Sequence, residues 1–247
     1  MKLKTAIENL GSAKAMEIAQ HIAQRLNISW DNGPAIVFNA IINDLDRVPG
    51  NIGSKSDDEH QAIRKWLLKY QRGKEGRASK RISNPPSTIA DPIIEEIIGA
   101  RIATLNANDL TKITFAHRLG MSAENILGLI LEEYLAENLE SYGWYCAWGE
   151  TVKSVDFVHA DGRLLQIKNR SNSENSSSSS VRAGTKIEKW FRIRANRIEY
   201  MWETLNQICG TTHLSEESFV QFVQATLTNN PNCLAVEEGS PWLHANS

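Results

Sequence analysis

Val152-Lys153-Ser154-Val155-Asp156-Phe157-Val158-His159, Ala160-Asp161-Gly162 and Arg163-Leu164-Leu165-Gln166-Ile167-Lys168-Asn169-Arg170 follow one another without interruption, and the way they pair decides the fold. Apolar and polar residues alternate on both sides of an Ala-Asp-Gly turn, the pattern of a β-hairpin. A two-residue loop of Asp161 and Gly162 would set position 156 against 167 and leave both faces mixed. A three-residue loop of Ala160, Asp161 and Gly162 puts the glycine at the left-handed position that a type I turn with a bulge requires. Then 157 opposes 165, 156 opposes 166 and 155 opposes 167. Val155, Phe157, Leu165 and Ile167 share one apolar face, and Asp156, Gln166 and Lys168 share the other. Burial alone selects the register that gathers the polar residues.

A carboxylate, an amide oxygen and an ammonium on one strand surface suit a Mg²⁺-dependent attack of water on a phosphodiester. Asp156 and Gln166 offer oxygen to a hard cation, the ion polarises the phosphate and acidifies its water, and Lys168 helps to hold or deprotonate that nucleophile. A hairpin with one solvated face displays the same residue types. Beyond it, Asn169 to Arg182 is a polar stretch whose Ser, Asn and Arg side chains are phosphate and base-edge donors. Arg170, Asn172 and Arg182 are the candidates for DNA contact. Thr185-Lys186-Ile187-Glu188 has the form of a capping box, so one long helix or two short ones are expected through Trp190, Phe191, Ile198, Trp202, Leu205 and Ile208, with Lys186 and Lys189 near the anion-attracting start.

Upstream of the hairpin the pattern is helical. Helices are expected from Ser12, near Pro34, from a capping box at Ser56-Asp57-Asp58-Glu59 to about Gly73, from Asp91-Pro92, and from Asp109 to about Gly120. Ser122 should cap a further helix with Leu127, Ile130, Leu131, Tyr134, Leu135 and Leu139 in one stripe, ending at Gly143. Strands are expected over 145–150, 152–159 and 163–169, and Ser215 to Leu227 should be a last helix. The fold class is therefore α+β, helix-rich around a small sheet. Gly73 to Pro86 is basic and without period. It marks the expected boundary between an N-terminal helical region, residues 1–84, and a second region, residues 85–247.

The 247 residues are 41% hydrophobic and 23% charged, which excludes collagen-like, disordered and membrane classes. No apolar run approaches the roughly 20 residues of a membrane span. Cys146, Cys209 and Cys233 lie outside any CxxC spacing, which favours a reduced cytoplasmic compartment over a zinc site. No phosphate-binding loop is present, so no nucleotide cofactor is expected. The net charge of −2 hides a division: +7 from Arg64 to Arg81, +5 from Arg170 to Arg197 and −14 elsewhere. A basic working face on an acidic scaffold is compatible with nucleic acid.

A helix with a glutamate, a strand with Asp156 and a strand with Gln166-Ile167-Lys168 together resemble the PD-(D/E)xK nuclease superfamily. Val155 stands where that pattern has Pro, and Gln166 where it has an acid; similar QxK variants occur in its Mrr-like branch. The longer string from Leu164 to Ser178, then Val181-Arg182, Gly184-Thr185 and Lys189-Trp190-Phe191-Arg192, resembles the SinI-type restriction endonucleases. That resemblance reaches back through Ala123-Glu124-Asn125 and the Leu131-Glu132 helix to about Pro85. It implies a PD-(D/E)xK core with a mixed sheet and Glu132, rather than Glu133, at the site. It also implies a Mg²⁺-dependent homodimer that cuts double-stranded DNA at a short palindrome-like sequence of the GGWCC kind. A catalytically silent DNA-binding module, a modification-dependent Mrr-like nuclease and a helical interaction protein are the alternatives.

Overall fold

The computed structural model describes residues 1–85, 87, 89–170 and 186–243. Its helices are α1 (Leu3–Leu10), α2 (Ser12–Arg25), α3 (Asn32–Asn43), α4 (Glu59–Glu75), α5 (Ile93–Arg101) and α6 (Ala107–Leu139), then α7 (Trp202–Cys209) and α8 (Glu216–Asn229). Between α6 and α7 lie β1 (Trp144–Cys146), β2 (Phe157–His159), β3 (Leu164–Arg170) and β4 (Ile187–Ile193). The fold is α+β, with many helices and one small mixed sheet. At α3 and α4 a side chain satisfies the first backbone N–H groups of the helix. Asp31 accepts from Gly33 at α3, and Asp58 and Gln61 exchange hydrogen bonds of 2.7 and 3.0 Å at α4. The capping box at α4 thus uses Asp58, not Ser56.

The sheet has the order β1-β2-β3-β4. β1, β2 and β3 run antiparallel, with Cys146 opposite Phe157 and Phe157 opposite Leu165. The hairpin turn closes as its chemistry demands: His159 N–H donates to the Arg163 carbonyl, and Gly162 has φ +94°. β4 joins β3 in parallel, with Gln166 beside Lys189 and Lys168 beside Phe191. The expected helix is therefore a strand over Ile187–Ile193, and helix forms only in its later part, as α7 with Trp202, Leu205 and Ile208. Ile187 and Trp190 are both buried, a spacing that imitates a helical turn, but the β3 edge supplies backbone partners throughout the segment.

Other departures have local causes. The strand expected over 152–159 shortens to Phe157–His159, because Ser154 takes φ +62° and Val155 N–H turns back to the Val152 carbonyl. The strand expected over 145–150 stops at Cys146, since Gly149 and Glu150 both have positive φ. The two helices expected around Gly120 are one helix of 33 residues, α6, in which Ser122 is an internal buried residue.

Two compact units account for the chain: Met1–Arg77 with Leu131–Gln221, and Ala78–Ile130 with Phe222–Ser247. A boundary at residue 84 falls inside the second of these. The N-terminal helices share the first unit with the sheet because α4 packs directly on the turn after β1. A Cβ on Gly73 would stand 2.3 Å from Gly149 N, and one on Gly149 would stand 2.5 Å from the Lys69 carbonyl oxygen. Gly73 is thus a point of backbone contact within α4 rather than its end. Trp66 lies over Phe38 at 4.6 Å and Tyr70 at 5.7 Å, and donates its Nε1–H to the Thr151 carbonyl at 3.0 Å. A second aromatic group in this unit joins Tyr134, Trp190, Trp202 and Phe219. The other unit is held by Asn230, which donates to the Ala78 and Arg81 carbonyls, and by the Arg118–Glu237 ion pair.

Candidate active site

Asp156 ends the turn that precedes β2. Its N–H donates to the Leu165 carbonyl at 2.9 Å, and its Oδ2 accepts the Ile167 N–H at 2.7 Å. One carboxylate oxygen is thereby fixed against β3, between the two residues with which the hairpin reading grouped it. Gln166 is buried and Lys168 half-buried. Alternation along β3 sends both to one face, while Leu165 and Ile167 go into the core.

The helix contribution comes from the end of α6 that belongs to the same unit. Its adjacent glutamates have different surroundings. Glu133 is 1% exposed and its Oε1 lies 2.9 Å from Arg77 Nε. Glu132 is half-buried, and its carboxyl is pushed up from 4.5 to about 8, first by burial, then by the charges of Asp156 and Glu150, with Lys168 opposing. Cys146 on β1 lies in the same field: burial, then Glu132 and Asp156, push its thiol up, which keeps it neutral. Glu132, Asp156, Gln166 and Lys168 are therefore neighbours, drawn from α6, a turn and β3.

These residues carry an excess of negative charge. Two carboxylates and the nearby Glu150 face one ammonium, and burial makes that imbalance costly. A divalent cation would relieve it, and carboxylate and amide oxygens are the donors a hard cation takes. Among the described residues no group of three or more His, Cys, Asp or Glu is placed to hold a metal ion. The donor set includes an amide, Gln166, where such a group would have an acid. The residues present fit Mg²⁺.

The expected DNA contacts are placed less uniformly. Arg170 is exposed at the end of β3, Lys186 is exposed just before β4, and Lys189 is exposed on β4 rather than at a helix start. Asn172 and Arg182 lie outside the described residues. Two cations of the first basic stretch have acidic partners: Lys65 pairs with Asp57 at 2.7 Å, and Arg77 with Glu133. Glu150 and Arg77 were not foreseen as neighbours of the site. The Gly149-Glu150 turn was the available signal for the first, and nothing local pointed to the second.

A family model of the SinI restriction endonuclease matches residues 19–229. The chain belongs to the SinI restriction endonuclease family. It is 38% identical over 202 residues to the type II restriction enzyme SinI of Salmonella infantis, a stretch that is 77% of this chain and 86% of that protein. It is 42% identical over 145 residues to the type II restriction enzyme Eco47I of Escherichia coli, which is 57% of this chain and 63%, just under two thirds, of that protein. The SinI family match begins within α2, so α3 and α4 lie inside the family's extent together with every candidate site residue. Among the described residues of this family member, no helix is long and apolar enough to cross a membrane.

Proposed function

We propose that this chain is a type II restriction endonuclease that hydrolyses phosphodiester bonds in double-stranded DNA at a short specific sequence. The observation that carries the reading is the meeting of Glu132, Asp156, Gln166 and Lys168 in a chain of the SinI family. Mg²⁺, when bound, would polarise the scissile phosphate and acidify the attacking water. Asp156 and Gln166 would hold it, with the Glu132 carboxyl nearby. Lys168 orients the water and opposes the charge that grows on the phosphate oxygens. The water oxygen bonds to phosphorus and gives up a proton to solvent, one phosphorus–oxygen bond to sugar breaks, and the departing oxygen takes a proton from solvent. Arg170, Asn172, Arg182, Lys186 and Lys189 position the duplex. The target is palindrome-like, of the GGWCC kind, and two copies of the chain serve its two strands in the cytoplasm.

Incubation with plasmid or phage DNA and Mg²⁺ should give discrete fragments, while Asp156→Ala and Lys168→Ala should bind DNA without cutting it. Intact DNA with both Mg²⁺ and Mn²⁺ would overturn the reading. Gln166, uncharged and 6% exposed, favours a second one, a DNA-binding module without turnover. The same assay separates them.

A further inference from the structure

The pair formed by Glu133 and Arg77 joins α6 to the end of α4. Arg77 reaches Glu133 through Nε and gives an Nη1 hydrogen bond of 2.7 Å to the Lys74 carbonyl, so the guanidinium is itself fixed. Consecutive residues leave a helix about 100° apart, and holding Glu133 therefore fixes the direction in which Glu132 leaves. Leu131, Tyr134, Leu135 and Leu139 bury the other sides of this segment, but apolar packing is non-directional, whereas a charge-assisted hydrogen bond has a definite geometry.

α4 also holds the segment that carries Asp156. Gly73 touches Gly149, Trp66 donates to the Thr151 carbonyl, and Lys69 reaches the Glu150 carbonyl at 3.4 Å. α4 and the turn that leaves it thus contact both carboxylate-bearing parts of the site. Arg77 and Glu133 themselves face a separate cavity of about 180 Å³ that they share with Tyr70 and Trp144, and neither lies among the reacting groups.

We infer that Arg77 and Glu133 are positioning residues, whose ion pair sets the angle at which Glu132 meets Asp156 and Lys168. This rests on the endonuclease reading above. The test is single-turnover cleavage, with protein in excess over a plasmid that the wild type cuts and Mg²⁺ saturating. Glu133→Gln and Arg77→Lys, both verified by cooperative melting, should cut ~10- to 100-fold more slowly. DNA affinity without metal should be unchanged. If Glu133→Gln does not fold, Arg77→Lys, at a partly exposed residue, carries the measurement.

A structural role and a positioning role separate in the Glu132→Ala background. There the same substitutions should slow cleavage by less than about threefold, because the group they act through is gone. Glu132→Asp replaces Glu132→Ala if the latter is too slow to time. Wild-type rates in folded Glu133→Gln and Arg77→Lys, or losses that multiply fully with Glu132→Ala, would overturn the inference. Asp156→Ala is run in parallel. If it cuts at the wild-type rate, the endonuclease site itself is wrong; if it is silent while the ion-pair variants cut normally, only the positioning role falls.

Discussion

Glu132→Gln tests whether carboxylates really crowd at the end of α6. Burial first, then Asp156 and Glu150, raise the folded-state carboxyl from 4.5 to about 8. Between those values the folded chain binds a proton at Glu132 that the unfolded chain has released. Stability is therefore highest at low pH, as far as this group is concerned, and falls as pH rises through the window. At about 1.4 kcal/mol per pH unit the ceiling is about 5 kcal/mol. Glu132 is half-buried, and solvent screening reduces this to about 2 to 3 kcal/mol. For a chain of this size each kcal/mol moves the melting temperature by about 2 to 4 °C. Wild-type protein in EDTA should thus lose roughly 5 to 10 °C between pH 5 and pH 9 from this group alone. Glu132→Gln, which cannot titrate, should lack that part of the slope. Added Mg²⁺ at pH 8 should raise the wild-type melting temperature and raise the Gln variant's by less. Parallel pH curves for the two proteins would refute the crowding, and with it the electrostatic case for a cation at this site.

Two further substitutions test the scaffold and the ligand set. Gly149→Ala places a methyl at φ +73° and 2.5 Å from the Lys69 carbonyl oxygen, and should destabilise by about 2 to 6 kcal/mol in a chemical denaturation series; an unchanged midpoint would show that α4 and the turn can separate at no cost. Gln166→Glu puts a further carboxylate beside Asp156, and should retain or raise cleavage, or shift the preference between Mg²⁺ and Mn²⁺ in a metal titration. Complete loss with both ions would mean that Gln166 acts as a donor, not as an oxygen ligand.

What the sequence revealed followed the range of the forces involved. The hairpin turn and its register could be read because Gly162 and the alternation of Val155, Phe157, Leu165 and Ile167 are local signals, and they placed Gln166 and Lys168 on one face. β4 could not. Ile187 and Trp190 at helical spacing, behind an apparent capping box, read as a helix until β3 offers an edge for parallel pairing. The residues alone left Glu132 and Glu133 open, the resemblance favoured Glu132, and the pair that gives the two different surroundings involves Arg77, far away in the chain. The Asn84-Pro85-Pro86 punctuation marks the expected boundary, and Gly73 and Gly149, from either side of it, meet within one unit.

The same comparison changes how the charge division should be understood. Arg64 to Arg81 is the more basic stretch, yet Lys65 is paired with Asp57, Lys69 leans on the Glu150 carbonyl, and Arg77 neutralises a glutamate that is 1% exposed. Of these cations, Lys69 on α4 and Arg77 in the turn after it contact the elements that carry Asp156 and Glu132. A charge engaged in an internal pair contributes little to counterion release from DNA. Arg170 at the end of β3, Lys186 just before β4 and Lys189 on β4 are exposed, while Arg192 of the same stretch pairs with Glu216 and Arg194 and Arg197 pair with Glu199, so both stretches divide between cations in ion pairs and cations at the surface.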